Sequence, residues 1–276
     1  PAGSLRVARA DLVRGIRVVS VERGYDPRDF TLVPFGGAGP MHGSPVAREL
    51  RMPRVMVPPT PGILCALGQL ISDLHHTFAE TRIARWRPDG VSDALPAIRA
   101  QVDRAVRHLE ADGVPAHRRR IEVKIDIRYV GQSYDLPIPV DIETADFWAG
   151  LPDRFHAAHR ARFGHADPSA PIEIVGFVVT GIGRIDKPVL PTLAAGTGSP
   201  AAAAVKGTRA VHFEPFDPTA PVTLHEAVVY RRNGLKAGDV IRGPAVIEEI
   251  SATTVVYPGD TLTVHPSGSL IVEVAQ

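Results

Sequence analysis

The stretch "LVPFGGAGPMHG", residues 32–43, decides how the rest of the chain is read. A short apolar run, Thr31 to Phe35, stops at Gly36 and Gly37, and Ala38, Gly39, Pro40 and His42 follow. Glycines crowded after a strand mean that the backbone must bend sharply or come close to something. Two readings fit Gly36, Gly37 and Gly39: a tight strand-to-helix crossover, or a cradle in which bare backbone lies flat against a ligand. The pattern is not a P-loop, which needs Lys-Ser/Thr after the last glycine, and its spacing is not that of the dinucleotide fingerprint. A helix follows, from near Pro40 or Ser44 to Leu50; if it starts at Pro40, Pro45 removes a hydrogen that a regular helix uses.

Working outward, Leu5, Ala8, Leu12, Ile16 and Val19 recur at helical spacing and predict an amphipathic helix over Leu5–Arg23, with Gly24 as its stop. Arg54–Val57 reads as a second strand, "PPTPG" as a rigid turn, and Ile63–Leu74 as another helix. Strand, helix, strand, helix at this spacing is an α/β pattern with parallel strands. Beyond "RWRPDG" the pattern changes. A long amphipathic helix carries Leu95, Ile98, Val102, Val106 and Leu109. Two period-2 runs, Ile121–Tyr129 and Tyr134–Val140, flank the break "VGQS" as in a hairpin. Phe147, Leu151, Phe155 and Phe163 mark a second helix, and Ile172–Ile185 a strand buried on both faces. This middle unit reads as α+β, with helices on an antiparallel sheet. "PTLAAGTGSPAAAAVKGT" reads as a linker or long loop, and a β-rich tail follows it. The expected organisation is therefore 1–88, 89–190 and 191–276.

The chain has 276 residues, 44% hydrophobic and 22% charged, with a net charge of +1. That balance gives no electrostatic argument for a nucleic-acid partner or an anionic membrane. No apolar run reaches the ~20 residues that span a bilayer. The single cysteine, Cys65, excludes an internal disulfide and a multi-cysteine zinc site, and makes a reducing cytoplasm the default compartment. In its apolar setting, "GILCALG", it reads as a packed cysteine rather than a nucleophile. His75 and His76 next to Asp73 make a poor chelate, because adjacent strand positions face opposite ways; Glu248 and Glu249 diverge for the same reason. His156, His159 and His165 read as a wet helix face beside Arg154, Arg160 and Arg162. In "RYVGQSYDL", turn chemistry with Tyr134 in the core and a substrate or inter-domain contact fit equally well. No metal-binding set stands out.

Four separated stretches resemble the hydantoinase A / 5-oxoprolinase / acetone carboxylase family: "GIRVVSVERGYDPRDFTLVPFGGAGPMHG", "PRVMVPPTPGILCALGQLISDL", "IRYVGQSYDLPIPV" and "GPAVIEEISATTVVYPGDTLTVHPSGSLIV". The resemblance covers nearly the whole chain, in the family's order. It implies part of an actin-like (ribonuclease H-like) ATPase lobe, followed by an α+β unit and a β-rich C-terminal domain. It also implies ATP-dependent opening of a cyclic amide such as hydantoin or 5-oxoproline, the ring carbonyl being activated by phosphorylation. By that resemblance Gly36, Gly37, Ala38 and Gly39 contact the nucleoside, and His42 is a further ligand-contact candidate with a packing role equally open. Actin-like ATPases hold phosphate and Mg with two Asp-x-Gly-Gly-Thr-type turns. Neither is present here, since Asp89-Gly90 and Asp112-Gly113 lack the second Gly and the Thr. ATP and Mg binding are thus expected to need an upstream ATPase region or subunit, and the chain, which begins with Pro, is expected to be a cut or split product that is inactive alone. The resemblance further implies a hydantoinase B-type partner. The alternatives are a non-catalytic assembly module that binds that partner, and part of an acetone-type carboxylase.

Overall fold

The structure is a computed structural model and describes residues 2–215 and 220–275. Its elements run in the order α1 (Ala2–Val19), β1 (Thr31–Leu32), α2 (Gly39–Glu49), β2 (Arg54–Val57), α3 (Leu64–Ile71), β3 (Leu74–Arg85), α4 (Val91–Ala111), β4 (Arg119–Tyr129), β5 (Leu136–Val140), α5 (Leu151–Phe163), β6 (Ile172–Gly183), β7 (Val205–Phe213), β8 (Thr223–Arg231), β9 (Val240–Arg242), β10 (Ala245–Glu248), β11 (Thr253–Val256), β12 (Thr261–Val264) and β13 (Leu270–Glu273). Among the described residues the fold is mixed α/β with three sheets.

The chain divides into two compact units, residues 1–70 with 188–276, and residues 71–187. This grouping differs from three consecutive stretches, and strand pairing is the reason. In the first unit β1 and β2 pair in parallel, as the strand–helix–strand pattern predicts, with Thr31 opposite Arg54. Their sheet is completed from the far end of the sequence, in the order β1-β2-β13-β12-β9, and β2 runs antiparallel to β13 with Val55 opposite Val272. A second sheet, β11-β10-β8-β7, belongs to the same unit. One core joins the two sheets to the helices. It contains Val13 of α1, Val46 and Ala47 of α2, Val55 and Val57 of β2, Ile247 of β10 and Leu262 and Leu270 of the tail strands. Removing each of these side chains from water contributes about 1.5–3 kcal/mol for the larger ones, which is why the tail strands and the glycine-turn segment hold together.

The segment between β6 and β7 is anchored rather than loose. The Leu193 amide donates to the Pro266 carbonyl at 2.8 Å, and the Gly196 amide to that of Ala237 at 2.7 Å.

The second unit is the expected α+β arrangement, an antiparallel sheet in the order β3-β6-β4-β5. Helices α4 and α5 share a core with it through Ile98, Ala105, Leu151 and Phe155. Strand β6 alternates between buried and half-buried residues instead of being buried on both faces. Strand β3 reaches well beyond the sequence reading, which took only His75 and His76 as strand positions: it draws residues 74–85 into this unit through ten paired positions with β6.

Candidate functional site

Between β1 and α2 the chain makes the bend quoted at the outset. Gly36 has φ +81°, a left-handed conformation that costs an L-residue about 1–2 kcal/mol. Its amide donates to the Pro61 carbonyl at 2.8 Å, tying the bend to the "PPTPG" turn. A side chain at Gly36 would meet nothing within 4 Å, whereas a Cβ at Gly37 would lie 3.2 Å from the Ser251 carbonyl oxygen. The same serine closes on Gly62, where an added Cβ would lie 2.5 Å from its Cβ and 2.6 Å from its carbonyl oxygen. Three loops therefore meet at this point: the glycine bend, the turn after β2, and the tip of the β10–β11 hairpin, where the Glu249 amide donates to the Ala252 carbonyl at 3.2 Å. Sequence reasoning identified the first two and missed the third, because nothing in "EEISATT" signals which distant backbone it covers.

The four residues named for nucleoside contact are consecutive in the bend and each keeps some solvent exposure. Gly37 and Ala38 are exposed, Gly36 and Gly39 are half-buried, and Phe35 and Met41 stand exposed beside them. Helix α2 starts at Gly39 and runs through Pro45, so the ambiguity over its start resolves at the earlier proline. Its opening turn is a weak phosphate cradle. Pro40 supplies no N–H, and the Met41 amide is taken by the Ala38 carbonyl at 3.1 Å. What the bend offers is bare, solvent-facing backbone suited to a flat group. Gly39 is not demanded by contact, since an added Cβ would meet Pro34 at an ordinary 3.5 Å, while Gly43 lets α2 approach Val55 of β2, with 3.0 Å left for a Cβ. His42 is half-buried on α2 and within the same helical turn as Gly39.

His75 and His76 are adjacent on β3; the His76 Nε2 is 2.5 Å from an Asp112 carboxylate oxygen. Glu248 is held by Lys206 and Arg209, and Glu249 by Arg232 at 2.6 Å, so the two carboxylates do diverge. Hydrogen bonds from Lys206, with the charges of Lys206 and Arg209, hold the Glu248 carboxyl below its usual range. Cys65 is exposed, not packed, because no residue of α3 is buried. Tyr134 is 73% exposed, which removes the core reading of "GQSY". His159 is not on a wet face. It is buried, with Nδ1 2.7 Å from the His165 carbonyl and Nε2 3.2 Å from the Gln132 amide nitrogen. The carbonyl can only accept, so Nδ1 carries the proton and Nε2 accepts from Gln132. His156, beside it on α5, lies 3.0 Å from the Tyr129 hydroxyl, and burial pushes its imidazole below the ordinary 6.5. Among the described residues no three His, Cys, Asp or Glu side chains are grouped to hold a metal ion, and no helix is long and apolar enough to cross a membrane.

Comparison with known proteins places the chain in a family. Residues 2–78 match the hydantoinase/oxoprolinase family model, and residues 92–267 match the hydantoinase/oxoprolinase C-terminal domain. The chain belongs to the hydantoinase/oxoprolinase family. It is 33% identical over 276 residues to the caprolactamase subunit alpha of Pseudomonas jessenii, covering 97% of this chain and 38% of that protein. The crystal structure of the ATP-dependent caprolactamase from the same organism superposes with a TM-score of 0.75 at 29% identity, over 100% of this chain and 40% of that one. The nucleotide-free structure of acetone carboxylase shares the fold, with a TM-score of 0.81 at 24% identity, over 99% of this chain and 39% of its own. The chain thus spans about two-fifths of the length of these relatives.

Proposed function

We propose that this chain is the C-terminal part of an ATP-dependent hydrolase of cyclic amides and supplies the nucleoside side of its ATP site. The observation that carries the reading is the solvent-facing bend Gly36–Gly39, in a chain whose family relative in Pseudomonas jessenii is an ATP-dependent caprolactamase. The residues fit one portion of ATP: bare backbone at Gly36, Gly37 and Ala38 suits a planar base or ribose, and His42 lies within reach of the same helix start. They do not fit the phosphates or Mg, for which the chain has no Asp-x-Gly-Gly-Thr turn and only a depleted helix start. Those groups would be held by the remainder of the protein or by a separate subunit. When bound, ATP supplies the phosphoryl group that turns a lactam oxygen into a leaving group; positioning donor and acceptor in line accounts for much of such catalysis.

A second reading, an assembly module for a hydantoinase B-type partner, is favoured by the apolar residues left exposed around the bend: Phe35, Met41 and Ile63. One reconstitution separates the two. The isolated chain with Mg-ATP and 5-oxoproline or caprolactam is expected to give no turnover. Adding the upstream polypeptide should restore lactam-dependent ATP hydrolysis. Stable complex formation without hydrolysis would favour the module, and a bicarbonate requirement would move the reaction to carboxylation.

A further inference from the structure

The unit formed by residues 1–70 and 188–276 contains a cavity of about 710 Å³ on which the nucleotide reading makes no demand. Its size lies within the 300–1,000 Å³ typical of small-molecule sites, and its walls are mainly apolar, with Ile63, Pro191, Leu193 and Ile250 giving accessible surface over the buried Leu235, Val264 and Leu270. The anchored segment after β6 forms one side, so the cavity is built and not a gap under a loose loop. Its charges are also built. Arg232 is nearly buried and donates to Glu249 at 2.6 Å and to the carbonyls of Pro58 and Gly268 at 2.7 and 2.9 Å. Glu248 is neutralised by Lys206 and Arg209. Arg231 is left: it lines the cavity, and its guanidinium has no hydrogen bond or ion pair among the described residues. Three cations against two anions on the lining leave one positive charge in excess. At the rim Thr60, a β-branched residue, is held at φ +50°, an outlier of the kind that clusters at ligand sites.

We propose that this cavity binds an apolar carboxylate, its hydrocarbon body against Ile63, Pro191, Leu193 and Ile250 and its carboxylate on Arg231. The cavity shares the turn after β2 and the hairpin tip at Ser251 with the surroundings of the glycine bend, but it uses none of Gly36–Gly39 or His42 and stands or falls without the nucleotide reading. An uncharged apolar guest would make no use of the unpaired Arg231, and a cationic one would meet like charge. An arginine fork matches carboxylate geometry and is always ionised.

The test is titration of the protein with octanoate, hexanoate and octylamine, followed by calorimetry and by amide chemical shifts. Octanoate is expected to bind with shifts confined to residues 59–63, 191–193, 206, 231–235, 248–251 and 264–270. Hexanoate, two methylenes shorter, should bind about 15-fold more weakly if those methylenes are fully buried, from roughly 0.8 kcal/mol per CH₂. Octylamine should not bind. R231Q, at an exposed position, should weaken octanoate about five- to ten-fold with an unchanged unfolding midpoint, as expected for a charged hydrogen bond partly screened by water. L193E, which brings an anion to the mouth, should also weaken it. Equal binding of octanoate and octylamine, no dependence on chain length, or no effect of R231Q would each overturn the proposal.

Discussion

Replacing Gly62 by Ala tests whether the three loops meet as described. The new Cβ would lie 2.5 Å from the Ser251 Cβ and 2.6 Å from its carbonyl oxygen, both inside the contact distance that real Cβ atoms keep. The Ser251 hydroxyl can rotate away, but the carbonyl is backbone, so the hairpin tip or the turn must move by a few tenths of an ångström or more. Overpacking of this kind costs about 1–3 kcal/mol. Two control glycines calibrate it. Gly36→Ala meets no atom but must hold φ +81°, costing about 1–2 kcal/mol. Gly39→Ala has ordinary space in a helix start and should be neutral or stabilising by up to about 1 kcal/mol. The double variant G62A/S251G should recover only part of the loss, because the carbonyl stays in place. Urea unfolding followed by far-UV circular dichroism is the assay. Tryptophan fluorescence would report the wrong unit, since Trp86 and Trp148 both lie within residues 71–187. If G62A unfolds at the same urea concentration as G39A, Ser251 does not cover Gly62 and the three-loop arrangement is refuted.

Other outcomes follow from the same structure. Arg48→Met should cost about 3–5 kcal/mol, because it strips the buried Asp260 carboxylate of an ion pair at 2.9 Å; adding Asp260→Asn should recover much of that loss in the same urea assay. The His156 imidazole is held below its unfolded value, so the unfolded chain protonates first as pH falls. The unit of residues 71–187 should therefore lose stability as pH drops below about 6.5, with no such contribution above it, and Trp fluorescence melts at pH 7.5 and 5.5 should show a smaller difference in His156→Gln. Native Cys65 should react stoichiometrically with a thiol reagent without denaturant; protection until unfolding would contradict its exposure.

The legible parts of the fold were those in which local chemistry and tertiary structure agree. Glycines at 36 and 37 and the prolines of "PPTPG" forecast two bends, because φ +81° and rigid proline φ angles are written in residue type. The alternation Ile121–Tyr129 forecast β4 and its partner, because a half-buried strand must alternate. The extent of strand β3 was hidden, because "LHHTFAETRIAR" mixes polar and apolar residues and its partner β6 begins almost ninety residues later. The role of β13 beside β2 was hidden for the same reason: pairing across more than two hundred residues leaves no local mark. His159 was misread as wet because a histidine's burial depends on whether partners such as Gln132 and the His165 carbonyl arrive, which only the folded chain decides. At the candidate site the bend at Gly36 to Gly39 could be read from residue type, while its role stays a proposal. The packing of Ser251 against Gly37 and Gly62 could not be read, since it depends on which distant backbone the hairpin tip faces.

The central claim is that the bend at Gly36–Gly39 faces the nucleoside when the rest of the enzyme is present. Ala38 offers the most direct probe, because it is exposed and its φ of −102° suits any residue. ATP affinity should be measured by calorimetry on the assembled full-length protein, wild type against Ala38→Tyr, with unfolding midpoints recorded for both. The account predicts at least a roughly ten-fold loss of ATP affinity, about 1.4 kcal/mol, at an unchanged midpoint. Equal affinity in the two proteins would contradict it.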